Sequence, residues 1–305
     1  MKLSKKHLLP ICLWCVVIVL AIFIVAQLFR TPNYLEVSFI DVGQGDAAFI
    51  RTSSDTRVIL DAGGSIMGAS NVGRDVVGSF LIRRGILSVD KAIASHYHSD
   101  HARGIVELAE VVEFRRLLIP DVDYHNLLRR QLTETAHRIG ADIHYISRGQ
   151  DIILDNYTRF NVLWPFPDGQ FEDNLIGPFF RGGNVNHNDD SLVMRLEYGN
   201  TSFLFTGDIE SRAELALLRE PRINVDVLKV AHHGSRSSTT QDFLNAVAPL
   251  YAVIGVARNS QFGHPHNEVL NRLNNANITI YRTDLHGTVT FLVDKNGIFT
   301  IRTTR

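Results

Sequence analysis

Cysteine is nearly missing from this 305-residue chain: the only two, Cys12 and Cys15, lie close to the N-terminus, so no disulfide framework can hold the fold. Excess charge of one sign is missing too. Lys and Arg number 31 against 32 Asp and Glu, a formal net charge of −1, which excludes a globally basic protein held to nucleic acid by bulk electrostatics. Collagen-like and low-complexity tracts are absent, and no fixed-period repeat is visible. What is there is 45% apolar and 21% charged, the composition of a globular chain able to bury a core. At roughly 100–200 residues per domain, the length allows one large domain or two small ones. The 13 histidines are the first hint of chemistry.

Long apolar runs are also scarce, with one exception. Residues 11–29 contain a single polar side chain, Gln27, and as a helix they would span roughly 28 Å, close to the ~30 Å hydrocarbon core of a bilayer. Lys2, Lys5 and Lys6 precede this run and only Arg30 follows closely, so the positive-inside rule keeps the N-terminus cytoplasmic and carries the rest across the membrane. A cleaved signal peptide is the rival reading, disfavoured by the length of the run and by a poor cleavage window around Ala26-Gln27. Cys12 and Cys15 spell CxxC inside this span, where thiols behave as small apolar groups rather than as a redox pair. The expected organisation is an anchor over 1–33 and one layered domain over 34–305.

In that domain, strand-like runs alternate with helical periods. Leu35, Val37 and Phe39 alternate with Glu36 and Ser38, predicting a half-buried strand, with residues 48–51 and 58–60 as partners. Val72, Val76, Val77, Phe80 and Leu81 have helical spacing; so do Ile105, Leu108, Ala109 and Val112, and Leu127, Leu128, Leu132, Ala136 and Ile139. Residues 191–198 and 201–206 flank Gly199-Asn200, a hairpin signal, and further strands are expected at 225–231, 251–256, 278–282 and 288–293. Residues 165–190 are rich in Gly, Pro and Asn without a period, as in a functional loop. This alternation predicts an α/β fold with helices on the outer faces of sheets.

The most specific feature is Ser95-His96-Tyr97-His98-Ser99-Asp100-His101, just after the strand-like run 91–94. Three imidazoles and a carboxylate within six residues of a strand-to-helix turn can point two ligands one way and two another, which suits two metal ions. With it come Asp41-Val42-Gly43-Gln44-Gly45-Asp46, Leu60-Asp61-Ala62-Gly63, Thr206-Gly207-Asp208, the run 229–235 (KVAHHGS), Gly263-His264-Pro265 and Arg282-Thr283-Asp284. In these motifs and their order, over residues 35–293, the chain resembles the metallo-β-lactamase-fold hydrolases. Within them it is similar to the branch typified by the extracytoplasmic hydrolase (nuclease) domain of ComEC-type competence proteins.

The resemblance implies an αββα four-layer metallo-β-lactamase fold behind the single transmembrane helix, and two divalent metal ions, Zn²⁺ or Mn²⁺. It implies that His96 and His98 hold a first ion, that Asp100 and His101 hold a second, that Asp208 bridges both, and that His233 completes the second site. Many relatives have a further histidine completing the first site. Here the corresponding stretch reads Asn188-Asp189-Asp190-Ser191, so Asp190 is the candidate, with Asn188 and His187 as alternatives. An oxygen ligand there would make the site harder and favour Mn²⁺. Asp61 is expected to orient a ligating histidine. Asp41 and Asp46 either support the site from outside the ligand set or merely solvate a glycine turn.

His232 and His233 cannot both ligate one ion from the end of a regular strand, because neighbours point to opposite faces. His233 is favoured as ligand and His232 as substrate contact. The amides and hydroxyls of Gly234, Ser235, Ser237 and Ser238 are placed to bind an anionic oxygen, and the equal alternative is that Ser237, Ser238 or Thr239 only caps the following helix. The implied chemistry is hydrolysis by water activated at the two ions, with Asp100 orienting it and His232 or His264 giving a proton to the leaving group. His264 could equally be an ordinary loop residue. The branch points to a phosphodiester substrate, DNA outside the membrane first among them, with Arg181, Arg236, Arg258 and Arg282 as local phosphate contacts. The alternatives are an esterase for phosphocholine esters, lactones or thioesters, and a metal-binding scaffold without turnover. Nothing in the sequence names a protein partner.

Overall fold

The computed structural model describes residues 14–20, 32–65, 70–122, 126–166 and 187–305. Of the predicted membrane segment, residues 14–20 are helical and exposed, and the remainder lies outside the described residues. Among the described residues no helix is long and apolar enough to cross a membrane.

The chain begins with β1 (Tyr34–Phe39), β2 (Ala47–Arg51), β3 (Arg57–Ala62), β4 (Ser88–Ile93), β5 (Glu113–Pro120) and β6 (Asp142–Ile146). These line up in chain order in one sheet, antiparallel through β1, β2 and β3 and parallel from β3 to β6. The second sheet is built from β7 (Asp151–Ile153), β8 (Thr158–Trp164), β9 (Val193–Tyr198), β10 (Thr201–Phe205), β11 (Val227–Lys229), β12 (Tyr251–Ile254) and β13 (Thr279–Arg282), again in chain order and parallel from β10 to β13. β14 (Val289–Asp294) and β15 (Phe299–Thr303) then cross back to extend the first sheet beside β1.

Parallel neighbours need crossover connections, and here these carry helices. In the first half they are a π-helical turn Gly73–Gly78 continuing as helix Ser79–Ile82, then Gly104–Leu108, then Leu127–Ile139. The last begins where the Asn126 side chain accepts from the Leu128 and Arg129 amides and ends at Gly140 with φ +72°. In the second half they are Ser211–Leu217, Gln241–Val247 and Asn267–Asn275.

Three apolar clusters define four layers in the order helix, sheet, sheet, helix. The central one joins the inner faces of both sheets, with Phe39 stacked 5.7 Å from Phe205 and Phe203 edge-on to Phe291 at 5.8 Å. The other two pack the outer face of each sheet against its helices. β1 differs from the half-buried strand its alternation predicts. Glu36 and Ser38 are buried as well, because Glu36 pairs with Arg84 and accepts from Ser38 Oγ at 2.9 Å, while Ser38 Oγ meets Thr290 Oγ1 at 2.9 Å. The 199–200 hairpin forms as expected, with Tyr198 opposite Thr201. β5 to β8 and β15 are strands that sequence periodicity did not predict.

Candidate metal centre

The parallel strands of both sheets end at the same rim, and the chemical side chains stand where they stop. Beyond β4 come Ser95, His96, Tyr97 and His98, then a π-helical turn Ser99–Arg103 holding Asp100 and His101. Asp61, at the end of β3, organises this loop. Its Oδ1 accepts from the Ser95 amide at 2.7 Å, and its Oδ2 accepts from Ser95 Oγ at 2.6 Å and faces His101 Nδ1 at 2.9 Å. His101 Nε2 is thereby turned toward the second half of the molecule, the orienting role predicted for Asp61.

That half contributes Asp208 and His233. Asp208 follows β10 through Thr206 and Gly207, and its amide donates to Ser191 Oγ at 3.0 Å. β11 stops at Lys229, two residues before the predicted strand end, so the opposite-faces argument for His232 and His233 does not apply. Both lie instead in a tight turn Ala231–Gly234 with positive φ, 48° and 54°. Such backbone is sparsely populated for residues with a Cβ and persists where the surroundings dictate it. His233 is buried, donating from Nδ1 to Gly255 O at 2.9 Å, and it aims Nε2 inward; His232 is part-exposed with Nδ1 3.2 Å from Glu210 Oε1.

Six side chains converge. Asp208 Oδ1 lies 3.2 Å from His101 Nε2, and its Oδ2 lies 3.4 Å from His233 Nε2 and 4.0 Å from His96 Nε2. His233 Nε2 is also 3.4 Å from Asp100 Oδ2 and 3.3 Å from His101 Nε2. The His96 ring sits 4.6 Å from that of His98 and 4.3 Å from that of His101. Ligand atoms fall into two groups with Asp208 common to both: His96, His98 and Asp208, and His101, His233 and Asp208 together with Asp46.

The electrostatics divide along the same line. Burial drives His96 well below the ordinary imidazole value, reinforced by the neighbouring His101, and burial lowers His98 as well. Burial is the largest single influence on His101 and His233 and would lower both, but the carboxylates together outweigh it, Asp208 with Asp61 at the first and Asp208 with Asp46 and Asp100 at the second, and both stand well above 6.5. For Asp100 and Asp208 burial favours the neutral acid, yet the imidazoles of His101 and His233 hold both below the usual carboxylate range.

Asp190 stands in a short turn His187–Asp190, its Oδ2 3.1 Å from His187 Nδ1, and the group of His96, His98 and Asp208 comes together without it. Its neighbour Asp189 is the buried one, accepting from the Glu210 amide at 2.7 Å. His264 lies at the mouth, its ring 5.5 Å from that of His232 and 6.2 Å from that of His233. Burial, then the imidazoles of His233 and His232, pull His264 down to about 4. The helix expected to be capped by Ser237, Ser238 or Thr239 is capped by Thr240, whose Oγ1 accepts from the Phe243 amide. Of the four arginines, Arg181 lies outside the described residues, Arg282 is tied to Asp284 at 2.7 Å, Arg236 is 3.5 Å from Glu268, and Arg258 is exposed. Sequence reasoning assigned nothing to Ser95, Glu210 or Lys229, whose partners lie far away in the chain.

The family model of the metallo-beta-lactamase superfamily matches residues 40–257. The chain is 32% identical over 269 residues to ComE operon protein 3 of Bacillus subtilis (strain 168), covering 84% of this chain and 33% of that protein. It is 29% identical to competence protein ComA of Neisseria gonorrhoeae, covering 87% of this chain and 33% of that one. It thus spans about a third of the length of these relatives. Among solved structures, YhfI of Bacillus subtilis, a metallo-beta-lactamase fold protein, gives a TM-score of 0.55 at 12% identity, over 85% of this chain and 99% of that one. CmlA, a diiron beta-hydroxylase from Streptomyces venezuelae, gives 0.52 at 14% identity, over 85% and 54%. At these identities the two structures show a shared fold.

Proposed function

Because the chain belongs to the metallo-β-lactamase superfamily, we propose that it is a membrane-anchored, metal-dependent hydrolase that cleaves phosphodiesters, with DNA outside the membrane as its leading substrate. The observation that carries this reading is the pair of buried His/Asp groups sharing Asp208. The donor set fits two divalent cations: buried His96 Nε2 has no hydrogen-bond partner, and the Nε2 atoms of His101 and His233 face each other at 3.3 Å beside the Asp208 carboxylate. His96, His98 and Asp208 would hold one Zn²⁺ or Mn²⁺, with Asp190 the candidate for a further oxygen ligand. Asp100, His101, Asp208 and His233 would hold the other. Such ions supply Lewis acidity and bring the pKa of a bound water down to about 7.

The chain's own residues do the rest. Asp100, ionised across the neutral range by its contacts with His233 and His101, accepts a hydrogen bond from the attacking water and aims it. His264, near 4, is uncharged at neutral pH and acts at the mouth as a hydrogen-bond partner for the substrate. The proton for the leaving group is left to His232, held from behind by Glu210. The name of one relative, competence protein ComA, supports a DNA substrate. The apolar run 11–29 supports anchoring, with the catalytic domain on the far side of the membrane.

The full chain, loaded with Mn²⁺ or Zn²⁺, is to be assayed side by side on linear DNA, bis-p-nitrophenyl phosphate and a lactone. Phosphodiester turnover that falls by more than about 100-fold in Asp100→Ala is expected. Lactone cleavage without phosphodiester turnover would overturn the substrate assignment. An alkaline phosphatase fused after Arg305 should be active only in the topology proposed.

A further inference from the structure

Behind the imidazoles of His101 and His233 lies a buried charge pair that the chemistry above does not use. Lys229 Nζ is 2.6 Å from Asp46 Oδ2 and donates to Val230 O at 2.8 Å, with both side chains almost out of solvent. Asp46 approaches both rings on their Nδ1 edges: Oδ1 is 3.5 Å from His233 Nδ1, and Oδ2 is 4.0 Å from His101 Nδ1. The Nε2 atoms of the same rings meet at 3.3 Å on the opposite side, beside Asp208 and Asp100. Each Nδ1 already has a nearer partner, Gly255 O for His233 and Asp61 for His101, both at 2.9 Å. Asp46 is therefore not what fixes either tautomer, and its place is set by Lys229.

The backbone is shaped around this pair. The Asp46 amide donates to Asp100 O at 3.2 Å, and a Cβ on Gly45 would lie 2.2 Å from that same oxygen. A Cβ on Gly255 would lie 2.4 Å from Asp46 Oδ1. A small cavity of about 20 Å³, lined largely by apolar side chains such as Phe39, Leu60, Leu192 and Phe205, borders Asp46 and Lys229. An unpaired buried carboxylate is strongly unfavourable. Without Lys229, Asp46 would swing to whatever cation lies nearest, and that would be the ion held by His101, Asp208 and His233.

We propose that Lys229 is a positioning residue for the metal centre: its ammonium pins Asp46 behind His101 and His233, so that this carboxylate braces the two imidazoles instead of joining their ligand set. The inference rests on the two-ion reading and adds to it what keeps one ion's ligand set free of an additional hard oxygen donor.

The test uses the full chain stripped of metal, as wild type, Lys229→Met, Asp46→Asn and the Lys229→Met/Asp46→Asn double variant. Each is titrated with Co²⁺, and the stoichiometry, chelator-competition affinity and visible absorption are read. The wild type should take two ions. Lys229→Met should shift the visible bands and change the affinity for one ion by about 10-fold or more. The double variant, with no carboxylate to release, should return to the wild-type spectrum and to within about 3-fold of its affinity. A merely structural lysine would lower stability and leave the spectrum of folded protein unchanged, so an unaltered spectrum and affinity in Lys229→Met overturns the inference. Should that variant fail to fold, a folded double variant with the wild-type spectrum supports it and one with shifted bands overturns it. A wild type that takes up no Co²⁺ sinks the two-ion reading, and this inference with it.

Discussion

Asp189 is a carboxylate that the fold holds against its preferred charge. Burial raises it to about 6 from an ordinary 3.8, and the like charge of Glu210 adds to the effect. The folded chain keeps a proton that the unfolded chain releases between those two values, so stability falls as pH rises from about 4 to 6 and the loss is complete above 6. Asp189→Asn removes the ionisation and keeps an oxygen for the Glu210 amide. It should therefore stabilise the protein at pH 7 by about 1–3 kcal/mol, with the advantage shrinking toward zero near pH 4. Urea melts of the two proteins across that range check this; an advantage independent of pH would refute it. Asp189 also shows where residue-scale reading of sequence stops. The run Asn188-Asp189-Asp190 was legible as chemistry, but which of its carboxylates is buried depends on β8 and on the Glu210 loop, from which Trp164 Nε1 and the Glu210 amide reach Asp189. His96, His98, Asp100 and His101 were legible because four potential ligands in six positions must share one turn. Asp46 and Lys229 were quoted within motifs, yet their meeting is a product of tertiary packing alone.

At the scale of elements, the ligand turn is wedged between a strand and two helices by close backbone contacts. Gly104 follows the turn directly; its amide donates to Gly63 O at 2.8 Å, and a Cβ there would lie 2.0 Å from Ala62 O. Gly104→Ala must push the turn bearing Asp100 and His101 away from the end of β3. A loss of about 1–3 kcal/mol is expected, the usual range for overpacking, or roughly 2–10 °C in melting temperature. Metal content should fall with it, because Asp61 at the end of β3 orients His101. A variant that melts with the wild type would mean the turn relaxes freely. The elements most legible in sequence were those with a single clean period, such as Leu127–Ile139 and the 199–200 hairpin. β5 escaped because its last four residues are buried on both faces and carry no alternation, and β15 because it is a part-exposed edge strand with little apolar content.

For the molecule as a whole, the site is a seam. His96, His98, Asp100 and His101 come from the sheet of β1 to β6, Asp208 and His233 from the sheet of β7 to β13, and the central apolar cluster joins the two below them. β14 and β15 make the chain cross that seam again, with Phe291 of the first sheet packed 5.8 Å from Phe203 and 5.7 Å from Tyr251 of the second. Neither sheet can present a full ligand set or cover its inner face alone. Metal that binds only the assembled site must stabilise both halves together, by about 2.7 kcal/mol at a free concentration 100 times its dissociation constant. His101 and His233 stand well above 6.5 without metal, so ions must displace their protons: binding near pH 7 should release protons, and affinity should fall as pH drops. Calorimetry should then show one unfolding transition that moves upward as a unit with Mn²⁺ or Zn²⁺, and isothermal titration in buffers of different ionisation enthalpy should report the released protons. Two separable transitions, only one of them metal-sensitive, would place the ions within one half and break the seam argument. A single transition that ignores both ions would remove the reason for six histidine and aspartate side chains to meet there.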